Sequence, residues 1–305
     1  MIERRPLLTA FAYAILILGL IFAIGPLYLV LCSASVSNQQ LLSNGIALLP
    51  GPQLIDNLQA VARRTDIGRQ LFNSLMVSSL VVIGKLALSS ITAFAVVYFR
   101  SPFRPLIFWT LFATLLLPLE VRIIPTYAVA SDLFEPLKTI LQSTGLDTLI
   151  ASVAGIRIEP SLNLLNTYSG LSLPLIASAT GTFLFRQFYQ TIPPELSEAA
   201  LMDGAGPLRF FIDILLPLSK TNFAALGTIV FISTWKDYMW PLVVTSQENM
   251  RTVVLGMATF LPTESGQWPE WNLLMAAALF AFIPPVIVIA LMQRWFVKGL
   301  VGVGK

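Results

Sequence analysis

The chain of 305 residues is 56% hydrophobic and only 11% charged, with a formal net charge of +3. Soluble domains carry about 25% charged residues, so this composition excludes an ordinary water-soluble globule and points to lipid as the solvent. The absence of histidine removes the usual zinc ligand and general base, a single cysteine excludes an internal disulfide framework, and +3 is too little charge to suggest a nucleic-acid partner.

A helix needs roughly 20 mostly apolar residues to cross a hydrocarbon core about 30 Å thick. Six such stretches predict an all-α, polytopic protein with six transmembrane helices, over 10–31, 71–97, 106–124, 171–188, 223–244 and 273–292. Arg4 and Arg5 precede the first stretch in the manner of a signal peptide, but the run is too long and lacks a small-residue cleavage site. Leu29-Val30-Leu31-Cys32 only loosely fits a lipoprotein box, because Leu31 is bulky where a small residue is wanted. The first stretch is therefore read as an uncleaved span.

If the spans alternate, one set of loops and ends holds ten lysines and arginines against five acids, and the opposite set six against nine. Cationic residues concentrate on the cytoplasmic side of a membrane protein. Both termini and the loop 190–220 are thus expected in the cytoplasm, with 33–70 and 126–170 as two external loops of a single membrane domain, 1–305. The first external loop carries turn signals at Leu49-Pro50-Gly51-Pro52. The second includes 146–158, modestly apolar and too short to span, which predicts an interfacial or packed external helix.

Ionisable residues at membrane depth are costly and often functional. Lys85 falls within the second span, Glu120 and Arg122 lie between Pro118 and Pro125, and Lys236 and Asp237 fall within the fifth. Lys85, Arg122 and Lys236 are the candidates for contact with a substrate. Ion pairing at an interface is the alternative for Glu120 and Arg122, and structural partners elsewhere are the alternative for Lys236 and Asp237. No metal ligand set and no catalytic constellation are found.

The loop 190–220 has the most specific local grammar. Pro193-Pro194-Glu195 suits a helix start, Ala199-Ala200-Leu201 favours propagation, and Gly204 is a natural left-handed terminator. Pro207 opens a second, amphipathic helix over 208–216, expected to end at Pro217. A helix of about ten residues is marginal alone in water, so it must pack on its own protein or on a partner.

Glu198-Ala199-Ala200, Asp203-Gly204-Ala205 and Ile214-Leu215-Leu216-Pro217, at their mutual spacing, resemble the signature loop of ABC-importer permeases. The ending Gln293-Arg294-Trp295-Phe296-Val297-Lys298-Gly299-Leu300 is similar to that of carbohydrate-type permeases. Further blocks resemble the second permease subunits of sn-glycerol-3-phosphate importers: Leu117-Pro118-Leu119-Glu120-Val121-Arg122-Ile123, Phe183-Leu184-Phe185-Arg186-Gln187-Phe188 and Pro217-Leu218-Ser219-Lys220-Thr221-Asn222. Residues 136–166 look like an insertion. The resemblance implies a type I ABC-importer permease fold with a cytoplasmic coupling helix. Glu198, Ala199, Ala200, Asp203, Gly204 and Ala205 would then form the contact with an ATPase. It also implies a second, different permease subunit, two copies of a cytoplasmic ATPase that bind the ATP and magnesium, a periplasmic substrate-binding protein, and the bacterial inner membrane. Carbohydrate-type permeases often carry Trp-Asn near Trp235-Lys236, so the lysine departs from that pattern and adds a cation. The run from Gly299 to Gly304-Lys305 fits only the opening of a phosphate loop, without the Ser or Thr that binds magnesium, so no cofactor is expected in this chain. The competing readings are a sugar or polyol permease, an ion-coupled carrier, and a membrane-embedded enzyme. The last two lack, respectively, recognisable inverted repeats and paired catalytic groups.

Overall fold

The computed structural model describes residues 6–115, 118–146, 152, 160–262 and 268–301. Among them every regular element is helical. Three helices are long and apolar enough to cross a membrane: Leu7–Ala34, Ile67–Tyr98 and Trp271–Gln293. A bent pair, Pro207–Leu218 and Lys220–Trp235, meets the same test as a unit, with 73° between its arms. Only 6% of the most apolar window of Leu7–Ala34 is buried within the chain. So large an apolar surface requires lipid or another protein to cover it.

Three of the six apolar stretches are interrupted rather than continuous. The stretch 106–124 divides into Arg104–Leu115 and Leu119–Ser131, with Pro118 extended before the second helix. Proline disfavours helical backbone in the residue before it and has no N–H to donate. The stretch 171–188 divides into Tyr168–Ile176 and Ala179–Gln190, where the Ser178 side chain accepts a hydrogen bond from the Gly181 amide at 3.2 Å. The stretch 223–244 divides into Lys220–Trp235 and Met239–Val244. Residues Lys236 and Asp237, expected inside a continuous span, therefore sit at a break.

The chain divides into two compact units. The first comprises Met1–Leu71 and Val253–Ile283. Its loop holds two helices, Asn38–Asn44 and Leu54–Arg64, the former opened by a Ser37–Gln40 capping box. Asn57, buried, donates to the carbonyls of Ala34 and Val36 at 2.9 and 3.0 Å and accepts from Asn272 at 2.9 Å. Asn38 bonds Pro269 O and the Trp271 amide, each at 3.0 Å, and Arg64 pairs with Glu270 at 2.7 Å. Amide side chains thus satisfy backbone groups freed where helices end, which apolar packing cannot do. Cys32, the candidate lipoprotein cysteine, is fully buried here.

The second unit comprises Phe72–Thr252 and Pro284–Lys305. One part of its core is aromatic: Phe94 lies 5.0 Å from Phe211, Tyr98 5.2 Å from Phe210, and Phe185 4.6 Å from Phe223, centroid to centroid. Each such pair adds about 0.5–1.5 kcal/mol beyond its buried area. The fully buried Asn73 donates to Asn249 O and Arg251 O at 2.9 and 3.0 Å and accepts from the Tyr168 hydroxyl at 2.7 Å. The indole of Trp240, also fully buried, donates to Gly170 O at 3.3 Å. Asn166, at φ 57°, accepts from the amides of Ser246 and Gln247 at 2.8 and 2.9 Å.

The segment 126–170 holds the helix Glu135–Ser143, and most of the anticipated helix over 146–158 lies outside the described residues. Asp132 clasps the ends of this segment. One carboxylate oxygen accepts from the Phe134 and Leu162 amides at 3.1 and 3.2 Å, and the other from Lys138. The Lys138 hydrogen bond first, and these amides after it, hold the Asp132 carboxyl below its ordinary value. Because the shift is downward, the clasp persists through the usual aspartate titration near pH 3.9 and is lost only as pH falls through the lower, folded value. Hydrogen exchange should therefore show the Leu162 amide protected at pH 4 after correction for intrinsic rates. Asp132→Asn should speed its exchange about fivefold at neutral pH.

Candidate functional site

The segment 193–205 folds as its residues dictate. Pro193 and Pro194 begin a helix, Pro194–Met202, with Glu195 in the first turn, where an acid complements the helix dipole. The end is a Schellman motif. Gly204 adopts φ 74°, its amide bonds Leu201 O at 3.0 Å, and the Ala205 amide bonds Ala200 O at 2.9 Å. Ala200 is buried in the core and Ala205 packs against it, while Glu198, Ala199, Asp203 and Gly204 are exposed. All six residues singled out in the sequence are thus brought together on one short helix and its terminator. Two others were not singled out: Leu201 and Met202 are 74% and 88% exposed. Two large apolar side chains beside an exposed glutamate form a protruding surface of the kind that a protein partner covers.

The second helix differs from expectation. It does not stop at Pro217 but continues to Leu218, and residues Phe211–Leu215 form a π turn. In that turn the Leu216 amide reaches back five residues to Phe211 O, which changes the hydrogen-bond register just before the proline that cannot donate. Helix Lys220–Trp235 then departs at Ser219, which is fully buried and donates its hydroxyl to Leu215 O. Phe210, Phe211 and Leu215 anchor the segment in the aromatic core.

A second feature lies at the break after Trp235. A cavity of ≈ 340 Å³ is lined by Lys85, Leu175, Ser233, Thr234, Lys236, Asp237, Tyr238 and Met239. Lys85 reaches it because the helix Ile67–Tyr98 approaches Tyr168–Ile176 closely at Gly84, where a Cβ atom would lie 2.5 Å from Ile176. Lys85 is half-buried and Lys236 exposed. Asp237 lies 3.5 Å from the Trp240 amide, a weak cap on the next helix. Arg122 is not on this wall. The structure thus gathers two of the three candidate cations at one cavity. The cavity also adds the hydroxyl of Tyr238, an aromatic the sequence suggests for packing or an interface, and those of Ser233 and Thr234, which sequence reading passed over because such residues are unremarkable on an apolar helix. The Glu120 side chain lies outside the described residues. Among the described residues no cluster of potential metal ligands occurs.

Residues 85–302 match the family described as binding-protein-dependent transport system inner membrane component. The chain belongs to that family. It is 44% identical, over the full length of both chains, to the sn-glycerol-3-phosphate transport system permease protein UgpE of Brucella melitensis and to that of Agrobacterium fabrum. It is equally identical to the UgpE of Yersinia pestis, over 99% of each. In fold it is similar to a chain of a bacterial ABC transporter involved in import of the acidic polysaccharide alginate, with a TM-score of 0.71 at 18% identity, covering 97% of this chain and 99% of that one. A second structure of an alginate ABC transporter, in complex with an alginate pentasaccharide-bound periplasmic protein, gives 0.60 at 14% identity, covering 96% and 94%. The fold is that of an ABC-importer permease, and family members of this kind are non-catalytic membrane subunits.

The Schellman geometry makes Gly204 and Gly206 unequal. A β-branched residue at Gly204 meets open space but must adopt φ 74°, a cost of roughly 1–2 kcal/mol, whereas Gly206 has an ordinary φ of −70°. Hydrogen exchange at the Ala205 amide should rise about tenfold in Gly204→Val and remain near wild type in Gly206→Ala.

Proposed function

We propose that this chain is one membrane-spanning half of an ATP-driven importer for sn-glycerol 3-phosphate in the bacterial inner membrane. The observation that carries the reading is full-length identity of 44% to proteins named as permeases of that transport system. The chain crosses the membrane six times, three of the crossings being interrupted helices, with both termini and 190–220 in the cytoplasm and 33–70 and 126–170 outside. Its partners are a second, different permease subunit, two cytoplasmic ATPase copies that bind ATP and magnesium, and a periplasmic substrate-binding protein.

The helix Pro194–Met202 seats on an ATPase, with Glu198 making a charged contact and Leu201 and Met202 filling an apolar groove. Its terminator turns the chain back toward the helices that shape the Lys85–Lys236 cavity. Movement of the ATPases reaches those helices through Phe210, Phe211 and Leu215, which the aromatic core holds. A phosphate monoester carries close to two negative charges near neutral pH. Its passage through a low-dielectric wall requires compensating cations or donors. Lys85 and Lys236 supply point charges there, Arg122 adds to the local potential, and Ser233 and Thr234 offer hydroxyls to a polyol.

Two variants test the two halves of this reading. Glu198→Lys should leave the membrane subunits assembled but reduce ATPase docking, or uncouple hydrolysis from transport, by about tenfold, as loss of an interfacial charge pair does. Normal, substrate-stimulated transport in that variant would remove the coupling role. Lys236→Gln should lower uptake of sn-glycerol 3-phosphate several-fold while complex yield and basal hydrolysis stay unchanged. Unchanged uptake would take Lys236 out of the path, and uptake of only neutral sugars by the wild-type importer would replace the anion reading by a sugar permease.

A further inference from the structure

A second cavity, unrelated to the one at Lys236, lies where the helix Lys220–Trp235 begins and the helix Trp271–Val301 nears its end. It has a volume of ≈ 400 Å³ and is lined by Leu216, Lys220, Phe223, Ala224, Met292 and Trp295. Five of these six side chains are apolar, and the sixth is an exposed lysine. A volume of this order accommodates a small-molecule ligand or a segment of an acyl chain. None of the coupling residues and none of the cations at the other cavity contributes to it.

The local geometry says what medium this cavity opens to. The arm Pro207–Leu218 is bent by 73° from Lys220–Trp235. If the second arm runs through the bilayer, the first lies close to the membrane plane. The first arm is built for that position. Leu208 and Ile212, 69% and 49% exposed, fall at four-residue spacing with Leu216, so that an apolar line runs along one side of the arm and ends in the cavity wall. Phe210, Phe211 and Leu215 occupy the buried side. Arg209 and Asp213, both exposed, form an ion pair at 3.3 Å on this arm. Apolar residues on one side, charged residues beside them, and a tryptophan and a lysine in the lining of the adjoining cavity together mark a membrane interface.

We propose that this cavity binds an anionic phospholipid of the cytoplasmic leaflet, with an acyl chain against Phe223, Ala224, Met292 and Trp295 and the headgroup phosphate at Lys220. Charge complementarity selects the occupant. This rests on the orientation proposed above, in which the loops on this side, with ten cations against five acids, face the cytoplasm, whose leaflet carries the anionic lipid. An exposed lysine in an otherwise apolar lining can hold its ammonium at headgroup depth while its stem covers the wall. The lipid would thereby brace the bend at Ser219, between the coupling segment and the helix that ends at the Lys236 break.

The test uses the whole importer, reconstituted in nanodiscs of equal parts phosphatidylglycerol and phosphatidylcholine, and counts retained lipids by native mass spectrometry. Wild type should retain phosphatidylglycerol over phosphatidylcholine by about fivefold, the preference expected for one lysine near the surface. Lys220→Gln should abolish the preference without abolishing retention, and Lys220→Arg should restore it. Ala224→Trp, which fills the wall, should reduce retention of both lipids. Equal retention of the two lipids by wild type, or an undiminished preference in Lys220→Gln, would overturn the proposal. So would an assembled complex that retains no lipid while Ala224→Cys cross-links to the neighbouring permease subunit, since a protein would then fill the cavity. ATP-driven uptake by the same wild-type preparation is scored separately, so failure of the lipid site leaves the importer reading intact.

Discussion

Lipid offers no hydrogen bonds, and this constraint governs the rest of the structure. Every backbone amide and carbonyl at membrane depth must find its partner within the protein, so a helix can be interrupted only where side chains or a change of register replace the missing bonds. The interruptions obey this. Ser178 caps the helix that follows 177–178, Ser219 bonds Leu215 O at the 73° bend, and Asp237 faces the amide of Trp240 after the break at 236. The π turn at Phe211–Leu215 serves the same end by shifting register ahead of Pro217. Each break then becomes a place where polar chemistry can be held inside an apolar protein. The break at 236 does this most clearly, because a lysine, an aspartate and three hydroxyl-bearing residues around it line one cavity.

The segment 193–205 depends on the same economy of hydrogen bonds. Pro194–Met202 is too short to persist alone in water, and its Schellman terminator and the burial of Ala200 fix it to the core. What remains exposed, Glu198 with Leu201 and Met202, is a surface ready for a partner. Because Phe210, Phe211 and Leu215 follow within the same unit and pack with Phe94, Tyr98 and Phe185, the short helix is joined to packed aromatic rings rather than to a loose loop, and under the proposed function that is where a push from the ATPases is delivered. Interfaces of this kind move between discrete arrangements and do not bend continuously.

The helical class and the terminator at Gly204 were legible because both rest on local rules, hydropathy over a span and the steric freedom of one glycine. The gathering of Lys85 and Lys236 was not, since it depends on the close approach at Gly84 and on a break that hydropathy averages away. Ser178 gave a usable signal, a serine three residues before Gly181, but in an apolar run such a cap competes with simple continuation of the helix. Pro217 misled in the opposite direction: proline ordinarily stops a helix, and the π turn that accommodates it has no sequence signature. In the loop 33–70 only the turn signals at Leu49-Pro50-Gly51-Pro52 were read, although Ser37 and Gln40 already spell a capping box. Asn57, the residue that ties that loop to two helix ends, is invisible without the fold, because a buried amide has no periodicity.

The central claim is that this chain, with its partner subunits, moves an anionic phosphate monoester inward at the expense of ATP. The direct measurement is uptake of labelled sn-glycerol 3-phosphate into proteoliposomes that contain the assembled importer and enclose ATP, with the binding protein supplied outside. The account predicts accumulation that requires both enclosed ATP and the binding protein and that is absent for uncharged glycerol. Uptake that proceeds without ATP, driven by an ion gradient alone, would contradict it.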